Sequence, residues 1–78
     1  MGRSFDGLTP KGLEVLKWLA KGYRNEAIAD TLSRDTKTVE RHINNIYSVL
    51  DTDSSDGMHP RVHAALMYLK AVGAISKE

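Results

Sequence analysis

The sequence predicts an all-α fold, a compact four-helix bundle containing a helix-turn-helix, and three observations carry that prediction. Apolar residues recur at intervals of three and four along most of the chain, and no segment reads as a strand. The periodic stretches begin at N-cap residues or proline and end at glycine or a polar turn. At 78 residues, of which 41% are hydrophobic, the chain suffices for one small domain with a modest core.

The first helix, expected over about 9–21, opens at Thr9-Pro10. The threonine hydroxyl suits an N-cap, and proline is tolerated at the first helical position, where no amide donor is missed. Leu13, Leu16, Leu19 and Ala20 form its inward stripe, widened by Val15, and Gly22 ends it. The stretch Asn25 to Asn44 then reads as two helices joined by a tight turn, over about 25–33 and 36–50. Ala27, Ile28, Ala29 and Leu32 give the first of them its core stripe, Ser33, Arg34 and Asp35 break the pattern, and Asp35 or Thr36 caps the next helix. Val39, Ile43, Ile46 and Leu50 recur at four, three and four residues, so one side packs inward while Lys37, Glu40, Arg41 and Asn44 point elsewhere. Such a face fits a DNA major groove.

Beyond Leu50 the polar run DTDSSDGMHP, rich in turn formers, reads as a loop over 51–59. A last helix is expected from Pro60 to about 73, with Val62, Leu66, Leu69 and Val72 on its inner side and Gly73 as C-cap before Ala74 and Ile75 fold back. This organisation gives a flexible N-terminal segment at 1–7, a single domain over 8–75 and a short tail at 76–78.

Composition excludes several classes of function. The chain is too short for a second, cofactor-binding unit, so no cofactor is expected and an enzyme is disfavoured. Without cysteine there are neither disulfides nor thiolate zinc sites, which fits a reducing interior. No apolar run approaches membrane-spanning length and MGRSFDG lacks the apolar core of a signal peptide, so the expected location is the cytoplasm. His59 and His63 have a zinc-compatible spacing without a third ligand nearby, and capping or surface roles are the expectation for them. Asp51, Asp53, Ser55 and Asp56 resemble the start of a calcium loop, but the glycine falls one place late and Val62 stands where a glutamate is needed. No metal site is expected.

The net charge of +1 is low for a nucleic-acid binder, yet its distribution is uneven. Up to Arg24 the chain carries Arg3, Lys11, Lys17, Lys21 and Arg24 against Asp6 and Glu14, and the remainder is slightly acidic. A single copy should therefore bind DNA only modestly, and pairing would be a natural remedy.

Three segments together, LTPKGLEVLKWLAKG at 8–22, NEAIADTL at 25–32 and TKTVERHINNIY at 36–47, resemble the LuxR-type (LuxR/GerE/NarL) DNA-binding domain. The likeness covers nearly the whole chain. It implies the C-terminal output domain of a bacterial transcriptional regulator, such as a two-component response regulator, whose intact parent carries a receiver or ligand-binding input domain. It implies binding to double-stranded DNA, and a homodimer on two half-sites paired through the last helix, where Ala64, Met67, Tyr68 and Ala71 are the expected interface. The sequence departs from the family pattern at Gly12 and Ala27, where glutamate is usual, and at Arg34, where an apolar residue is usual. The turn before the last helix is also longer than is common.

The resemblance places base and phosphate contacts on the helix at 36–50. Arg41 is the expected guanine reader, since its guanidinium donates twice to O6 and N7, Asn44 suits adenine, and Glu40 suits the cytosine amino group. Thr36, Lys37 and Thr38 sit at the helix start, where side-chain donors and backbone amides suit phosphate, and Arg24 and His42 complete the expected phosphate set. The competing reading is a small helical protein-interaction module that keeps this fold without specific DNA binding.

Overall fold

The computed structural model describes residues 5, 7–50, 57 and 59–73. Most of the expected segment at 1–7, the loop over 51–59 apart from Gly57 and His59, the fold-back at Ala74 and Ile75, and the tail at 76–78 lie outside the described residues. Among the described residues the chain forms four α-helices, α1 (Pro10–Ala20), α2 (Asn25–Leu32), α3 (Thr36–Leu50) and α4 (Pro60–Ala71). None is long and apolar enough to cross a membrane.

Helix α1 forms as its sequence dictates. The Thr9 hydroxyl accepts from the Gly12 amide at 3.0 Å, and Pro10 follows at the first position. At the other end Gly22 takes φ +92°, a left-handed conformation that glycine adopts at little cost. The Gly22 amide then donates to the Leu19 carbonyl at 3.0 Å and the Tyr23 amide to the Trp18 carbonyl at 3.2 Å. This is the hydrogen-bond pair of a Schellman motif, and its usual apolar contact is supplied by the Tyr23 ring, 4.9 Å from that of Trp18. Helix α2 closes in a similar way, with the Arg34 amide donating to the Ala29 carbonyl at 2.9 Å. Here Ser33 occupies the left-handed conformation at φ 57°.

Val15, Leu16 and Leu19 of α1, Ile28 and Ala29 of α2, Val39, Ile43, Ile46 and Leu50 of α3, and Ala64 of α4 form one core with Leu8. Complete burial of a side chain such as Leu16, Ile28 or Ile46 contributes roughly 1.5–3 kcal/mol. Helix α4 runs antiparallel to α1, since Arg61 at its start reaches Tyr23 while Tyr68 meets the Phe5 ring at 6.2 Å.

Two expectations are corrected. Ala27 is exposed, so the inward stripe of α2 is Ile28 and Ala29 with Leu32 half-buried. The larger correction concerns α4, whose two sides are exchanged. Val62 and Val72 are 52% and 56% exposed, whereas Ala64 is completely buried and Ala65, Met67 and Tyr68 pack against the core. This helix is apolar on both sides, so periodicity does not say which side faces inward, and a small residue lets α4 approach α1 closely. Ala64 is therefore removed from the expected dimer surface, Met67 and Tyr68 spend part of their side chains on the core, and Ala71 is exposed.

Candidate nucleic-acid interface

The turn of the helix-turn-helix delivers α3 with its start capped by a carboxylate. Asp35 Oδ1 accepts from the Thr38 amide at 3.1 Å, which selects Asp35 over Thr36 as the cap. Hydrogen bonding from the Thr38 side chain, and then from its backbone amide, holds the Asp35 carboxyl below its ordinary value of 3.8, and the Arg41 guanidinium acts in the same direction. The carboxylate is therefore charged at neutral pH, fixing the angle at which the helix leaves the turn.

Burial of Val39, Ile43, Ile46 and Leu50 on one side of α3 determines what the other side presents. Lys37, Arg41, Asn44 and Ser48 recur at four, three and four residues and are all exposed, a stripe directly opposite the buried one. Glu40 and Asn45 flank it and are also exposed. Thr36, Thr38 and His42 are half-buried along the shoulders of the helix. The structure thus brings Lys37, Arg41 and Asn44 into one outward line, and leaves Glu40 to one side of it. Arg24 stands apart from α3, exposed at the N-cap position of α2, where no side chain caps the first amides.

Sequence reasoning missed Asn45 and Ser48, although continuing the same four-three-four spacing reaches Ser48. It also missed Arg61. Its guanidinium donates to Asn25 Oδ1 at 3.0 Å and to the Tyr23 carbonyl at 2.6 Å, tying the start of α4 to the start of α2. The two elements line a shallow cleft of about 260 Å³ formed by residues 22–26 and Arg61. The available signal was a cation in the first turn of a helix, an end that favours anions. His59 caps α4 as expected of it, its Nδ1 accepting from the Arg61 amide at 3.2 Å.

Comparison with known proteins agrees with this architecture. Residues 6–68 match the family model described as bacterial regulatory proteins, luxR family. The response regulator protein VraR of Staphylococcus aureus strain Mu3 is 40% identical over 47 residues, which are 60% of this chain and 22% of that protein. The VraR proteins of Staphylococcus saprophyticus and Staphylococcus epidermidis are similar to the same extent, also 40% identical over 47 residues. The matched stretch thus spans about a fifth of the length of these relatives. No solved structure shows significant similarity. With four helices, a capped helix-turn-helix and a family match over most of its length, the chain belongs to the luxR family of bacterial regulatory proteins.

Proposed function

We propose that this domain binds double-stranded DNA sequence-specifically, inserting α3 into the major groove, as the output domain of a cytoplasmic transcriptional regulator of the response-regulator kind. It acts as a binding module, with regulation supplied by an input domain of the parent protein. The observation that carries the reading is the outward line of Lys37, Arg41 and Asn44 on the second helix of the motif. Arginine and asparagine one turn apart are the two side chains best suited to bidentate reading of guanine and adenine. Lys37, in the first turn, supplies charge to the phosphate backbone, with Thr36, Thr38, His42 and Arg24 as further backbone contacts. Glu40 accepts from a cytosine amino group at the edge of the line.

Pairing on two half-sites complements the small net charge of +1, which leaves one copy with little electrostatic affinity. The proposed pairing surface on α4 comprises exposed Val62 with half-buried Leu66 and Leu69 beside it, and Ala71 and Val72, exposed at the end of the helix.

Selection of bound duplexes from a random pool, followed by titration of variants on the selected site, tests the reading. Arg41→Ala is expected to cost about 1–3 kcal/mol on that site and to flatten discrimination at one base position. Lys37→Ala is expected to weaken all duplexes alike and to reduce the salt slope by about one. Equal losses on selected and random duplexes for both variants would remove Arg41 as a base reader. A pool from which no duplex is enriched would favour the protein-interaction reading.

A further inference from the structure

The exposed side of α1 carries a cationic and aromatic patch that the DNA reading does not use. Pro10, Glu14, Lys17 and Lys21 are exposed, directly behind the buried Gly12, Val15, Leu16 and Leu19. Glu14 pairs with Lys11 at 3.3 Å near the start of the helix, whereas Lys17 and Lys21 make no ion pair among the described residues. Both ammonium groups stand over the Trp18 ring, each 5.4 Å from its centroid, and the Tyr23 ring lies 4.9 Å from it. Like charges one turn apart repel each other. The negative end of the helix and the indole face offset that repulsion and hold the two cations in place. The result is a pair of positioned ammonium groups beside two aromatic rings, one of them 38% exposed.

The patch also lies on a different helix from the proposed DNA-reading face. Helices α1 and α3 both turn their apolar stripes into the shared core, and the patch lies on the side of α1 away from that core. The residues proposed to read bases, Lys37, Arg41 and Asn44, are all on α3, and none of them belongs to this patch. We propose that Lys17, Trp18, Lys21 and Tyr23 form a docking surface for an acidic protein segment, occupied at the same time as DNA. Carboxylates complement the two ammonium groups, and aliphatic side chains between them complement the rings. Tryptophan and tyrosine at a surface of this kind are the residues that most often dominate binding energy.

The chain contains a single tryptophan, so the emission of Trp18 reports directly on this corner. The probe is a synthetic peptide of repeating Glu-Leu and Asp-Leu pairs, with the Gln-Leu and Asn-Leu peptide as its neutral counterpart. The acidic peptide is expected to change Trp18 emission saturably, to shift the backbone amides of residues 17–23, and to do so equally with duplex bound. Lys17→Glu combined with Lys21→Glu should weaken the peptide at least tenfold while leaving the circular dichroism and duplex affinity unchanged. Lys17→Gln with Lys21→Gln serves if the reversed charges disturb the helix end. The proposal is overturned by equal response to the neutral peptide, by shifts that map elsewhere, or by variants that bind the peptide as wild type does. It is equally overturned if duplex displaces the peptide or if the variants lose duplex affinity, since the patch would then be a DNA-backbone contact. Absence of any duplex binding would count against the proposed function and leave the peptide measurement to decide this surface.

Discussion

Asp35 shows how one side chain couples the turn to the reading helix. Its carboxylate accepts from the Thr38 amide, and those hydrogen bonds favour the charged form, so its folded-state pKa lies below the ordinary 3.8. A depressed carboxyl pKa contributes stability that is present above the unfolded value and is lost as pH falls through the folded one. Thermal melts recorded downward from pH 5 should therefore show wild type losing stability below about pH 4 more steeply than Asp35→Asn, which keeps an acceptor but has no charge to lose. Parallel curves for the two proteins would contradict this role. Gly12 makes the opposite point, that a residue can sit in a helix at a cost. It is buried in the first turn of α1, where a Cβ would meet Thr9 Oγ1 at 3.4 Å and Leu8 at 3.8 Å, both ordinary contacts. Gly12→Ala should stabilise the domain by about 0.5–1 kcal/mol, read from the midpoint of chemical denaturation. A loss of stability would show that the turn is tighter than these distances imply.

At the level of elements, legibility followed the one-sidedness of each helix. The inward stripe of α3 was readable because its apolar residues occupy one side and polar residues the other. The caps were readable for a related reason, since Thr9-Pro10 and Gly22 satisfy local needs that do not depend on the rest of the fold. Helix α4 offered no such contrast, and placing bulky aliphatic side chains inward inverted it. Its orientation is set by what α1 leaves room for, which a single sequence does not display. The inversion changes the expected outcome of mutagenesis. Ala64→Glu would place a carboxylate at a completely buried position and should unfold the domain, as a lost far-UV helical signal. Leu66→Glu or Val62→Glu should leave the fold and single-half-site binding intact and abolish cooperative occupation of a double site. Titration of one-site and two-site duplexes distinguishes these results, and unchanged cooperativity in both outward variants would remove α4 as the pairing surface. The candidate site was legible in part: the outward placement of Lys37, Arg41 and Asn44 followed from spacing, and their proposed role from the family resemblance. The Arg61 link between α4 and α2 did not, because its partners Tyr23 and Asn25 are distant in sequence.

For the whole molecule, a near-neutral chain is proposed to bind a polyanion. The core and the Arg61 tie position the helices of the helix-turn-helix, while net charge supplies little attraction. Affinity must then come from base contacts and from pairing, which makes the balance between specific and nonspecific binding the quantity that matters. The most direct measurement is the affinity of the domain for its selected duplex and for a scrambled duplex of equal length, across a series of salt concentrations. The account predicts that affinity for both falls as salt rises, because counterions are released, while a preference for the selected duplex persists at every concentration and is lost in Arg41→Ala. Equal affinities for the two duplexes throughout, or no duplex affinity at any salt concentration, would contradict it.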